Sequence, residues 1–200
     1  MSLRVRSRWK NAGERSLEDI GTVCATNAWR IAGNGVLNLE NEGFETTTQR
    51  QRLDLIEEFL AFLLHVADHA VYERMSQDER ARLITAMAMR MADLVADNRA
   101  DFEGPGNQRA AFIDRLNQRG DRYAEYRWES ERTPGFALMQ AFAEWMSEQL
   151  GPTNRKWAVD QIMAIEGPEA VEHFLKAMDS LLDPETASTG RRPQRYMSED

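Results

Sequence analysis

From residue 51 to residue 72 the chain reads QRLDLIEEFLAFLLHVADHAVY, and its apolar positions recur with the period of a helix. At about 100° per residue, Leu53, Ile56, Leu60, Leu63, Leu64, Ala67 and Val71 form one apolar face, and Phe59, Phe62, Val66 and Ala70 form a second beside it. A helix apolar over most of its circumference is touched by neighbours on several sides, so this one is expected at the centre of a core. Its remaining positions, Asp54, Glu57, Glu58, Ala61, His65, Asp68, His69 and Tyr72, fall within roughly 60° of one line on the wheel. That line faces either water or a polar site.

The flanking pattern predicts six further helices. Ser16 followed by Glu18 and Asp19 reads as an N-cap with acids in the first turn, opening a helix that runs to about residue 39. Within it Gly21, Ala25, Ala28, Ala32 and Gly35 alternate at spacings of four and three, which gathers five small residues on one face suited to close helix packing. The alternative is that the glycines near residues 33 and 35 break the helix. Residues 44–103 contain neither glycine nor proline, and the threonines at 46, 47 and 48 offer caps, so the central helix is expected over about 49–75. Ser76 with Glu79 forms a capping box that starts the second arm of a long antiparallel hairpin, about 77–101, with Ile84, Met87, Met91 and Leu94 facing inward.

The run Glu103-Gly-Pro-Gly106 is the clearest break, and the prolines that follow fall at apparent boundaries. Shorter helices are expected over about 108–131, 134–150, 154–166 and 168–182. Phe112, Leu116 and Tyr123 supply the inner side of the first; Phe136, Met139, Phe142 and Met146 that of the second; Trp157, Ile162 and Ile165 that of the third; and Val171, Phe174, Leu175, Met178 and Leu182 that of the last. Residues 184–200, rich in Ser, Thr, Gly, Arg and Pro, read as a disordered tail. The expected fold is all-α, a bundle of about seven helices in one domain over residues 16–183, built on the hairpin. No repeat at solenoid periods is visible.

Composition changes this picture little. With 42% hydrophobic and 29% charged residues and a mean hydropathy of −0.60, the chain is expected to be water-soluble and globular. No apolar run approaches the ~18 residues of a membrane span, since the longest, 59–67, is interrupted by His65. The single cysteine, Cys24, excludes an internal disulfide and a zinc ribbon and fits a reducing cytoplasm. Placed mid-helix between small residues, it reads as a buried hydrophobe. The net charge of −8 is uneven: residues 1–15 form a basic arm with Arg4, Arg6, Arg8, Lys10 and Arg15 against Glu14. The acidic remainder repels phosphate backbones, so nucleic-acid binding would rest on that arm alone.

Candidate chemistry centres on the polar line of the central helix. His65 and His69 stand four apart, the spacing that puts two imidazoles on one helix face, and Glu58 and Asp68 are the nearest acids able to complete a transition-metal site. Against it, Val66 stands where a zincin has glutamate, and the Glu-x-x-His motif of ferritin-like sites is missing. The competing reading is a solvent-facing stripe of ordinary histidines. Tyr123, Tyr126 and Trp128 interleaved with Arg119, Arg122 and Arg127 form a second candidate, either a stacking surface or core and interface packing. No nucleophile elbow, phosphate loop or dinucleotide fingerprint occurs. The function expected is that of a cytoplasmic, non-catalytic binding or scaffold protein that self-associates, with Gly21, Ala25, Ala28, Ala32 and Gly35 as the first candidate interface. The alternatives are a helical-bundle metalloprotein using His65, His69, Glu58 and Asp68, and an accessory protein that docks nucleic acid or an acidic partner through its arm.

Overall fold

The structure, a computed structural model, describes residues 15–152 and 155–183; the basic arm, apart from Arg15, and the tail expected over 184–200 lie outside them. The described residues are all-α. Helix α1 spans Leu17–Asn41, α2 Gln49–Val71, α3 Gln77–Glu103, α4 Gln108–Tyr123, α5 Phe136–Leu150, α6 Arg155–Gln161 and α7 Gly167–Leu182, with a π-helical turn, Ile162–Glu166, joining α6 to α7. Because α6, the π turn and α7 run on without a break, the seven α-helical segments make six separate rods. No described helix is long and apolar enough to cross a membrane.

Local chemistry fixes the starts of the first three helices. The Ser16 hydroxyl accepts from the Asp19 N–H at 3.1 Å, and the Thr48 hydroxyl accepts from the Gln51 N–H at 3.1 Å. At α3 the capping box closes in both directions: Glu79 N–H donates to the Ser76 hydroxyl at 3.3 Å, and Ser76 N–H donates to the Glu79 carboxylate at 3.0 Å. Gly43 and Gly104 end α1 and α3 with φ of 91° and 78°, a backbone conformation open mainly to glycine.

Helix α2 lies at the centre and packs against α1, α3, α4, α5 and α7, so that Phe59, Leu60, Phe62, Leu63, Val66 and Ala67 are wholly buried. Helix α1 is continuous through Gly33 and Gly35 and lies chiefly along α3. Its five small residues are all buried, and the reason is close approach within the chain. A Cβ on Gly21 would sit 2.7 Å from the Leu83 carbonyl oxygen of α3, and one on Gly35 would sit 2.7 Å from the Phe59 ring of α2. The face proposed for a second copy is therefore occupied by α3 and α2 of the same chain.

Three departures from the sequence pattern shape the other end of the molecule. Helix α2 stops at Val71 and α4 at Tyr123, eight residues short of its expected end. In an unbroken α4, Trp128 would lie about 140° around the axis from Tyr123, and the two could not face α2 together. Breaking the helix lets both do so. The segment 124–135 folds back on itself through an isolated bridge between Trp128 and Pro134, closed by Gly135, where a Cβ would clash with the Arg127 carbonyl oxygen. At the third departure, Gly167 N–H bonds the Ile162 carbonyl five residues back, widening the turn just before Pro168, which has no N–H and crowds a regular helix. Gly167 also admits Met139, whose sulfur would lie 2.5 Å from a Cβ there.

These contacts separate the helical glycines. Gly21→Ala is expected to lower stability by about 1–3 kcal/mol despite alanine's better helix propensity, because backbone of α3 must move. Gly120→Ala, with nothing within 4 Å of its added carbon, is expected to raise stability by up to about 1 kcal/mol. Urea midpoints of the two variants moving in the same direction would contradict this packing.

Candidate functional site

The polar line of α2 divides in two, and up to His69 neither part faces open water; Tyr72, at its C-terminal end, is exposed. Its N-terminal half is a buried ionic clamp. Glu58 is wholly buried, and Arg119 of α4 grips both its oxygens, Nε at 2.7 Å and Nη2 at 2.8 Å. Glu57, also buried, accepts from Arg99 Nε of α3 at 2.5 Å and lies 3.1 Å from Arg115 Nη1 of α4. Arg99 bonds Asp54 as well and reaches Glu103 at 3.0 Å. Burial pushes the Glu57 carboxyl above its ordinary range, and the Arg99 and Arg115 guanidiniums pull it back. A pocket of about 410 Å³ opens over this cluster, but each charge on its wall already faces an opposite one.

The C-terminal half of the line is aromatic. Trp128 stacks on His69 with ring centroids 3.8 Å apart and planes 6° from parallel, and it also covers His65 at 5.9 Å. Tyr123, wholly buried, lies 5.4 Å from the His65 ring and edge-on to Trp145, and Arg119 lies over the Trp145 ring at 4.1 Å. Burial, with a smaller contribution from the neighbouring His69, lowers His65 to about 4; burial also lowers His69, against the pull of Asp68, Glu131 and Glu73. Of the second candidate of the sequence, Tyr123 and Trp128 pack on α2 and Arg119 binds Glu58, whereas Arg122, paired with Glu125, and Arg127 are exposed.

The four residues considered as metal ligands are dispersed among other partners. Glu58 belongs to Arg119, Asp68 pairs with Arg80 of α3 at 2.8 Å, and His69 lies under Trp128. Among the described residues no group of three or more His, Cys, Asp or Glu side chains is arranged to hold a metal ion. Cys24 is buried, and burial raises its thiol to about 12, which leaves it protonated and inert.

A larger concave surface than the pocket over the clamp lies elsewhere. A groove of about 570 Å³ runs between the folded-back segment, the start of α5, the π turn and α7, with Met139, Val171 and Leu175 on its floor and Met163 and Pro168 on its wall. At its rim Phe136 is 74% exposed, although the sequence pattern places it on the inner side of α5. Trp157 and Ile165, also expected inward, are 69% and 42% exposed on the rod that packs beside α5. The periodicity missed this because α5 is apolar nearly all round its first turns, and the pattern of one helix does not say which of two apolar faces is covered. Comparison with protein-family models, curated proteins and solved structures returned no match.

Two tests follow from these environments. Arg119→Ala, which strands the buried Glu58 carboxylate, is expected to cost about 3 kcal/mol of unfolding free energy, whereas Arg82→Ala, which opens the exposed pair with Glu18, leaves the urea midpoint nearly unchanged. Equal effects would place the clamp among ordinary surface pairs. His65 stays neutral in the folded chain down to about pH 4, whereas an unfolded histidine protonates near 6.5, so the unfolded chain binds the extra proton between these values. The contribution of neutral His65 is complete above the upper value and is lost as the pH falls through that window, by about 3 kcal/mol in all. Stability curves of wild type and His65→Gln should therefore diverge in slope below about pH 6.5; parallel curves would remove His65 from the acid response.

Proposed function

We propose that the chain is a helical docking protein whose working surface is the groove between the folded-back segment, α5 and α7. The observation that carries this reading is Phe136, the most exposed of the large apolar side chains among the described residues, standing at the rim of an apolar groove of about 570 Å³. An aromatic ring held in water beside a concave apolar floor is the arrangement that protein contacts use as an anchor and its pocket. Further support comes from the buried charges, since Glu57, Glu58, Arg99 and Arg119 are engaged with one another and hold helices together. The groove matches a self-associating binding or scaffold role better than the small-residue face of α1, which is covered.

The test replaces Phe136 with the photo-crosslinking residue p-benzoyl-phenylalanine in the full chain and illuminates the cells that express it. A discrete protein adduct is expected at position 136, lost when Met163→Glu puts a charge at the groove mouth. The same probe at Tyr72, which is 60% exposed away from the groove, serves as the control. Equal adducts at both positions, or none at either, would count against the groove as a docking surface.

A further inference from the structure

Resting on that docking reading, we infer that the occupant of the groove is a second copy of this chain, placed about a two-fold axis with the two α7 helices antiparallel. Three observations lead there. The first is that knob and hole share one patch: Phe136 stands on the rim of the groove formed by Met139, Met163 and Leu175. A two-fold axis through such a patch presents each Phe136 to the other copy's groove, which is how a self-complementary interface is built.

The second observation is the order of charges on α7. Glu172 and Lys176 line the groove one turn apart and are exposed, and neither carries an ion pair among the described residues. When two α7 helices run antiparallel about an axis near residue 174, Glu172 of each copy comes opposite Lys176 of the other.

The third is where like charge permits approach. The chain carries a net charge of −8, which disfavours contact between copies over most of its surface. The groove is lined by two acids, Glu129 and Glu172, and two bases, Arg132 and Lys176, of which Arg132 also pairs with Asp179 at 2.7 Å. A balanced rim favours a second copy over a strongly basic or strongly acidic partner, because either of those would leave half of the rim charges facing their like. The two most exposed large apolar side chains, Phe136 and Trp157, stand on α5 and α6, which pack together, so unpartnered apolar surface is concentrated at this end.

Sedimentation velocity of the full chain at low salt, from low to high micromolar, tests the inference. A concentration-dependent dimer is expected, and Phe136→Ala, Glu172→Lys or Lys176→Glu should each weaken it by about tenfold or more. The double exchange Glu172→Lys with Lys176→Glu restores the opposed pairs and should recover affinity to within a few fold of wild type. All three positions changed in these variants are exposed, and circular dichroism checks that each variant stays folded. A chain that stays monomeric while the probe at position 136 still captures a different protein overturns the second copy and leaves the docking reading standing. A monomer with no adduct at position 136 overturns both. A dimer indifferent to Phe136→Ala, or charge variants that the double exchange fails to rescue, overturns this arrangement of the two copies.

Discussion

Burying the adjacent carboxylates Glu57 and Glu58 inside a helical bundle is the constraint around which the rest of the structure is arranged. Carrying two like charges out of water costs several kcal/mol each unless guanidinium groups meet them with good geometry. Here Arg99 of α3 and Arg119 of α4 supply that geometry, and Arg115 of α4 adds a third positive charge 3.1 Å from Glu57. Each of these arginines must come from a fixed height on its helix, so the pair of glutamates sets the register of α3 and α4 against α2. Apolar packing alone would tolerate a shift of one helix along another; a stranded buried charge does not.

The same clamp explains why α4 ends where it does. With Arg119 committed to Glu58 and lying over Trp145, Tyr123 falls one turn further along and buries itself against Phe62 and His65. A continued helix would carry Trp128 away from α2. The chain instead folds back, and Trp128 seals the histidine end of the polar line by stacking on His69. That folded-back segment then becomes one wall of the apolar groove, and the π turn before Pro168 sets the opposite wall close to Met139. The groove is thus the far consequence of a charge pair on the opposite half of α2.

The docking role proposed for the groove rests on its chemistry. The groove offers a flexible, sulfur-containing and aliphatic floor, an aromatic ring at its edge and a balanced rim, a combination that favours another protein surface over a small charged ligand. His65 and His69, which first invite a metal reading, are packed against Tyr123 and Trp128, and burial lowers the pKa of both.

The caps, the capping box at Ser76, the central place of α2 and the small face of α1 were legible in the sequence because each depends on residues within a few positions of one another. Local hydrogen bonding and helical period determine them before any tertiary contact forms. The small face showed that something would approach closely, yet only the fold decided that α3 and α2 of the same chain do so. The polar line was equally visible, but its partners lie on α3, α4 and the segment after α4, tens of residues away, and no period in α2 encodes which charges or rings will arrive there. Exposure of Phe136, Trp157 and Ile165 was likewise decided by tertiary structure alone. A helix with two apolar faces buries whichever one its neighbours reach, and that choice is made by the whole bundle.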